Sequence, residues 1–227
     1  LQGDQVASLA VPECGTKFVR GMLEDSRPQT FSDLVRISGF SHGTNVWLDN
    51  AQDLIKNGTC KLNEAISTRD DVMNFLIHRG MDRKHSFFVM ENVRKGKGIE
   101  KRNKQGQAIT EFEAEMRENN IPEWFIESCK KISYLFPRAH AVAYVMMAFR
   151  IAWFKVYHPL AFYAAYFSIR AKAFDLRIMT GDLKTQMTEF NRIKALDRAA
   201  SPKDKDLMSA LEVSMEMYQR GYRFVNV

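Results

Sequence analysis

The sequence predicts an all-α protein built from many helices. Three observations carry this. Apolar residues recur at helical rather than alternating spacing along nearly the whole chain. Polar caps and first-turn acids stand just ahead of these stretches, and Gly or Pro just behind them. No two alternating runs flank a hairpin turn, and the weak extended stretch Leu9-Ala10-Val11 has no partner.

The elements follow in order. Lys17 and Arg20, three apart, share one face of an N-terminal helix. Thr30-Phe31-Ser32-Asp33 opens a short helix, which Gly39 ends just past Ser38. Trp47 to Lys56 forms the next, ended by Asn57-Gly58. Val72, Phe75 and Leu76 follow Arg69-Asp70-Asp71, whose acids suit a first turn. Asp82 caps a helix to about Arg94 that Gly96 closes. Pro122 suits position N1 of a helix to about Ser133. Ala139 to about Tyr157 is a helix stopped before Pro159. It is apolar almost all round and is expected to be central and buried. Two more helices carry Leu183, Met187, Phe190 and Leu196, then Leu207, Leu211, Met215 and Tyr218. Ala200-Ser201-Pro202-Lys203 makes the turn between them.

Residues 94–107 break this regime. They are basic, punctuated by glycine, and hold almost nothing to bury, so they read as a mobile loop. Lys95, Lys97, Lys101 and Arg102 suit contacts to a phosphate backbone. A solvated linker between two helices fits the pattern equally.

Composition narrows the class. The 227 residues are 45% hydrophobic and 11% aromatic, enough for a real core and against wholesale disorder. The net charge of +6 leans towards polyanionic partners without proving one. Cys14, Cys60 and Cys129 are widely spaced, with neither zinc-ligand nor disulfide-framework spacing, and a reducing cytoplasm fits them best. The apolar run Ala141 to Phe154 is short for a bilayer and interrupted by Arg150. The chain opens on Leu1 without a signal peptide and is expected to be a piece of something longer. No GxSxG, HExxH, Walker A or paired-carboxylate motif is present, so no catalytic, metal-binding or cofactor-binding residue is assigned.

Two places gather chemistry. Phe136-Pro137-Arg138-Ala139-His140-Ala141-Val142-Ala143-Tyr144 puts a cation and an imidazole at a helix start, where free N–H groups and the helix dipole favour an anion. His140 and Tyr144 share a stripe, and hydrogen-bonded core residues would show the same spacing. The second place is Leu34 to Trp47, where Arg36, Ser41 and His42 sit in or beside a glycine-bounded polar turn. Around Cys14, the basic pair Lys17 and Arg20 fits either plain surface charge or the lining of a basic groove.

Four runs together resemble the PolC-type replicative DNA polymerase III alpha subunit. They are Val11 to Leu23, Leu34 to Trp47, Phe136 to Tyr144, and Phe154 to Leu160. The weaker Phe136-x-x-x-His140-x-x-x-Tyr144 pattern is shared with the related DnaE type. Cys14 stands where a bulkier residue is often seen. Arg138 stands where lysine is often seen, which keeps the charge but changes the geometry.

The resemblance spans the chain and implies the fingers region of a bacterial, cytoplasmic nucleotidyltransferase. It divides residues 1–227 into outer helical subdomains over 1–135, including the basic loop 94–107, and the central helix with C-terminal helices over 136–227. Arg36 and Arg138 become triphosphate cations. Ser41 and His42 lie near the nascent base pair, with His140 and Tyr144 on the helix facing it, so that Arg36 and His42 form the opposite wall. Lys17, Arg20, Lys95, Lys97, Lys101 and Arg102 are the expected DNA contacts. Partners are then primer-template DNA, dNTP and the rest of the polymerase. Palm, exonuclease and duplex-binding segments lie elsewhere, and so do the sliding-clamp contacts. Mg²⁺ belongs to the palm acids, and the piece alone is expected to be inactive. A free-standing basic helical module for nucleic acid or protein is the other reading that the charge and the basic loop allow.

Overall fold

The computed structural model describes residues 6–99, 101–102, 108–109 and 111–225. Among them are twelve α-helices and one short two-stranded ladder. Contacts divide the chain into two compact units. One holds Thr16–Met147, and the other holds the described parts of Leu1–Gly15 and Ala148–Val227.

In the first unit, α1 (Lys17–Ser26) starts on Thr16, whose hydroxyl accepts from the Val19 N–H at 3.3 Å. Helix α2 (Phe31–His42) starts on a reciprocal capping box between Thr30 and Asp33. It does not stop at Gly39 but continues to His42. Gly39 is there for clearance, since a Cβ at this position would lie 2.6 Å from the Ser67 carbonyl oxygen. The glycine marks a backbone crossing rather than a helix end.

The expected helix from Trp47 to Lys56 is regular only over Gln52–Lys56 (α3). Leu48 is extended and Asp49 has φ +57°, which breaks the start. The buried Asn50 explains the break. Its amide donates to the Asn45 and Ser128 carbonyls at 3.0 and 3.4 Å, and its Oδ1 accepts from the Ser128 hydroxyl at 2.7 Å. A buried amide needs such partners, and a regular helix here would not present them.

Helices α4 (Arg69–His78) and α5 (Arg83–Val93) pack together, and α6 (Glu111–Glu118) leads to α7 (Glu123–Lys131). Phe40, Leu76, Met116, Phe125 and Ile126 are fully enclosed in this unit. Helix α7 ends short of Ser133, and Pro122 precedes its first turn. The next residues are extended because they pair elsewhere. Tyr134 bridges Thr44, and Phe136 bridges Thr68.

The start of the basic stretch is not loose. Arg94 and Lys95 are both ion-paired to Glu91. Gly96 has φ +67° and closes against Ser133, where a Cβ would lie 2.6 Å from the carbonyl oxygen. Ile99 is buried. Further on, β1 (Lys101–Arg102) pairs antiparallel with β2 (Ala108–Ile109), so the chain carries a short strand pair that its sequence does not announce. The rest of the expected mobile loop, residues 100 and 103–107, lies outside the described residues.

In the second unit, α9 (Pro159–Ala165) runs into a wider π-type turn over Tyr166–Arg170. Helices α10 (Leu176–Met179), α11 (Leu183–Leu196) and α12 (Pro202–Gln219) follow. Met179, Ile193, Leu211 and Met215 form one core cluster, and Leu9, Phe162, Tyr163, Val213 and Met217 form another. The Leu9 stretch is a turn, with Val11 N–H bonded to the Ser8 carbonyl. It is tied down by Lys155, which is only 2% exposed. The ammonium donates to the carbonyls of Ala7 and Leu9 at 2.8 and 2.6 Å and pairs with Glu216 at 2.9 Å.

Helix α8 runs over Arg138–Tyr157. Its expected burial is not observed. Ala141, Val145, Ala148 and Lys155 are buried, while Met147, Phe149, Trp153, Val156 and Tyr157 are exposed. A helix without a polar face does not reveal which side its own chain covers, and here the covered stripe is narrow. At 20 residues it is also longer than the Ala141 to Phe154 run, and by length and composition alone it reaches across a bilayer core.

Candidate functional site

The start of α4, the end of α2, the turn after it and the start of α8 come together in the Thr16–Met147 unit. Backbone pairing does this. The Thr44 N–H donates to the Tyr134 carbonyl at 3.0 Å, and the Arg69 N–H to the Phe136 carbonyl at 3.2 Å. The strand-like segment 132–137 is thereby held between the turn at Thr44 and the mouth of α4. It delivers Phe136 and Arg138 to the same place.

Asp71 is the centre of the charged half. Its Oδ2 accepts from the N–H and hydroxyl of Ser67 at 3.0 and 2.7 Å, and from those of Thr68 at 2.8 and 3.0 Å. Its Oδ1 faces Arg36 Nη1 at 3.4 Å and accepts from Arg138 Nη2. Burial pushes this carboxyl up. Arg36, the Ser67 bond, Arg138 and the Thr68 N–H outweigh burial and hold it below the usual carboxylate range. Arg36 is 15% exposed and also donates to the Ala65 carbonyl at 2.9 Å. Arg138 is more open, at 39%. The neighbouring Asp70 accepts the backbone N–H of Arg138 at 2.9 Å. One N–H at the α8 mouth is thus already held by the chain's own carboxylate.

The aromatic half lies beside it. His42, at the end of α2, stacks on Phe136 with ring centroids 4.7 Å apart and planes at 29°. Tyr144 lies 6.3 Å from His42 and 6.4 Å from Phe136, and His140 meets the Phe136 ring edge-on at 6.0 Å. His42, His140 and Tyr144 are all exposed. Ser41 is half-buried and donates to the Ser38 carbonyl at 3.0 Å. The result is an open platform of rings beside two guanidiniums. Ring faces stack on planar heterocycles, and a planar guanidinium matches phosphate oxygens.

A sequence model described as the bacterial DNA polymerase III alpha subunit finger domain matches residues 3–120. The chain belongs to this family. Three relatives are each called DNA polymerase III PolC-type. The one from Caldanaerobacter subterraneus subsp. tengcongensis is 55% identical over 99% of this chain. Those from Bacillus subtilis and Thermotoga maritima are 52% and 54% identical over 99% and 97%. In each case the chain spans 15% of the relative's length. The finger-domain match includes α2 and α4, and so Arg36, Ser41, His42 and Asp71. Arg138, His140 and Tyr144 follow it, within the span aligned to the PolC-type relatives.

Of the residues singled out in the finger-domain sequence, Arg36, Ser41, His42, Arg138, His140 and Tyr144 share one neighbourhood. Arg36 and Arg138 meet on one carboxylate, and His42 touches the ring that precedes α8. Lys17 is exposed on the first turn of α1, with Arg20 half-buried one turn on. Lys97 is exposed, Lys95 is paired to Glu91, and Lys101 and Arg102 lie on β1.

In the sequence Asp70 and Asp71 are first-turn acids of a helix, and nothing local marks them as part of a site. The capping box Thr68-x-x-Asp71 was the available signal. It accounts for one carboxylate oxygen and says nothing of the other. The thiols take no part. Burial pushes Cys14 and Cys60 up to about 11, and pushes the fully enclosed Cys129 up as well.

Proposed function

We propose that this chain is the fingers of a PolC-type DNA-directed DNA polymerase, and that the platform holds the incoming dNTP and the nascent base pair. The observation that carries this is the junction of two guanidiniums on Asp71 with the exposed rings of His42, His140 and Tyr144. A nucleotide combines a polyanion with a planar base, and this surface has a counterpart for each. Arg138 with Arg36 meets the triphosphate, and the rings with Ser41 meet the base pair.

Phosphoryl transfer rests mostly on positioning and charge stabilisation. Fingers contribute by orienting the triphosphate, balancing charge on its oxygens and excluding water as they close. Among the described residues no group of three or more His, Cys, Asp or Glu is arranged to hold a metal ion, and Asp71 is committed to arginines and a helix start. The Mg²⁺ that the reaction requires is assigned to palm acids elsewhere in the polymerase, and this piece alone is inactive. Primer-template DNA meets Lys17, Arg20, Lys95, Lys97, Lys101 and Arg102, and the enzyme works in the bacterial cytoplasm. Relatives that match nearly this whole chain while being far longer support a domain of a larger polymerase over a free-standing module.

The test is single-nucleotide incorporation by the full-length polymerase. Arg36→Ala and Arg138→Ala are each expected to slow incorporation by on the order of 10²–10³. Unchanged kinetics in both variants overturn the reading.

A further inference from the structure

We infer that Asp71 is a positioning residue for the nucleotide's triphosphate, acting through Arg138 and Arg36. This rests on the nucleotide reading above and adds to it a carboxylate that touches no substrate. Capping a helix needs one acceptor oxygen, and Oδ2 of Asp71 meets that need with four donors from Ser67 and Thr68. A carboxylate so anchored cannot swing. Its second oxygen, Oδ1, is therefore a fixed point, and both guanidiniums are held on it. Close packing of Gly39 on the Ser67 carbonyl fixes the anchor itself.

Three consequences identify what the site would take. Arg36 and Arg138 share the single oxygen Oδ1, and Asp70 takes only a backbone N–H, so guanidinium donors are left to meet an anion without expelling Asp71. A guanidinium carries five N–H donors. Among the described residues the guanidinium of Arg138 bonds only to Asp71, and at 39% exposure it keeps a face for phosphate oxygens. The Arg138 backbone N–H is already occupied by Asp70. The anion is therefore expected on the guanidinium side and not on the helix axis, which sharpens the place of the triphosphate. Without Asp71 the long Arg138 side chain has no fixed orientation, and misplacing a binding group weakens the productive complex.

The experiment measures steady-state single-nucleotide incorporation by the full-length polymerase, with active sites counted by burst amplitude. Asp71→Asn keeps the shape and removes the charge. It is expected to raise the KM for dNTP about tenfold, with kcat per active site changed much less. A purely structural role would lower the active fraction and leave KM alone. In an Arg138→Ala background, Asp71→Asn is expected to raise KM by a smaller factor than it does alone, since only the route through Arg36 remains. Should Asp71→Asn not fold, Ser67→Ala takes one 2.7 Å bond from Oδ2, leaves every charge in place, and is expected to give a smaller rise of the same kind. Unchanged KM in the folded variants, or effects of Asp71→Asn and Arg138→Ala that simply multiply, overturn the inference and leave the nucleotide reading standing. Normal kinetics for both Arg36→Ala and Arg138→Ala overturn the nucleotide reading, and the inference falls with it.

Discussion

His42 and Phe136, ninety-four positions apart in the chain, stack with ring centroids 4.7 Å apart. The contact joins the end of α2 to the segment that leads into α8. It sets the edge of a ring platform that also includes His140 and Tyr144. Removing the middle ring should therefore loosen the other three. Aromatic contacts of this type contribute about 0.5–1.5 kcal/mol each. Phe136→Ala in the full-length polymerase is expected to lower kcat/KM for correct dNTP incorporation about tenfold, while Phe136→Tyr stays close to wild type. Equal losses in the two variants would show that the ring does not matter.

Gly39 tests the crossing of α2 over the segment before α4. An added Cβ would meet the Ser67 carbonyl oxygen at 2.6 Å and the Thr68 methyl at 2.9 Å. Backbone cannot yield as a flexible side chain does, and overpacking of this kind costs about 1–3 kcal/mol. Gly39→Ala should speed amide hydrogen exchange in residues 31–42 and 67–78 of the polymerase. Gly21→Ala is the control, since nothing lies within 4 Å of its Cβ. Identical protection in the two variants would refute the crossing.

Asp71 gives the first unit an acid-sensitive joint. Its folded-state carboxyl lies below the usual value despite burial, chiefly because of Arg36, Ser67 and Arg138. A depressed pKa stabilises the fold fully above the unfolded value of about 3.9, and that stabilisation is lost as pH falls through the folded value. The difference in exchange protection of residues 67–78 between wild type and Asp71→Asn should be large at neutral pH and shrink below about pH 4. A difference that stays constant from neutral to acid would contradict the assignment.

Lys155 is the corresponding joint of the second unit. Removing a buried charge from its partner costs about 3–5 kcal/mol, because the remaining groups stay buried without it. Lys155→Met orphans the Ala7 and Leu9 carbonyls and takes a cation from Glu216, which keeps Tyr163 and Arg220. Residues 6–14 should exchange much faster in this variant, with α12 following. Unaltered exchange there would mean that Leu9 and its apolar neighbours alone hold the segment.

Local chemistry determined much of this protein on its own. Thr30 with Asp33, Asp82, and Ser201 with Asp204 cap their helices as their side chains dictate, because a cap depends on residues within one turn. The periodic apolar residues of α11 and α12 likewise specified their helices. In α12 they mark the buried face through Leu211 and Met215, whereas in α11 Leu183 and Met187 are exposed and Gln186 and Ile193 are buried. Arg36, Ser41, His42, Arg138, His140 and Tyr144 were also visible, as cations, rings and a hydroxyl in polar or helix-start contexts.

Tertiary structure alone decided the rest. Gly39 looked like a stop and is a crossing point, because the Ser67 carbonyl that it clears lies 28 positions away. Trp47 to Lys56 looked helical, but the buried Asn50 needed a partner on α7. Helix α8 looked buried because composition records what a surface is made of and not what covers it. Asp71 looked like an ordinary first-turn acid. Its second oxygen became the meeting point of Arg36 and Arg138 because one residue comes from 35 positions before it and the other from 67 after, and only the folded chain brings three such charges within bonding distance.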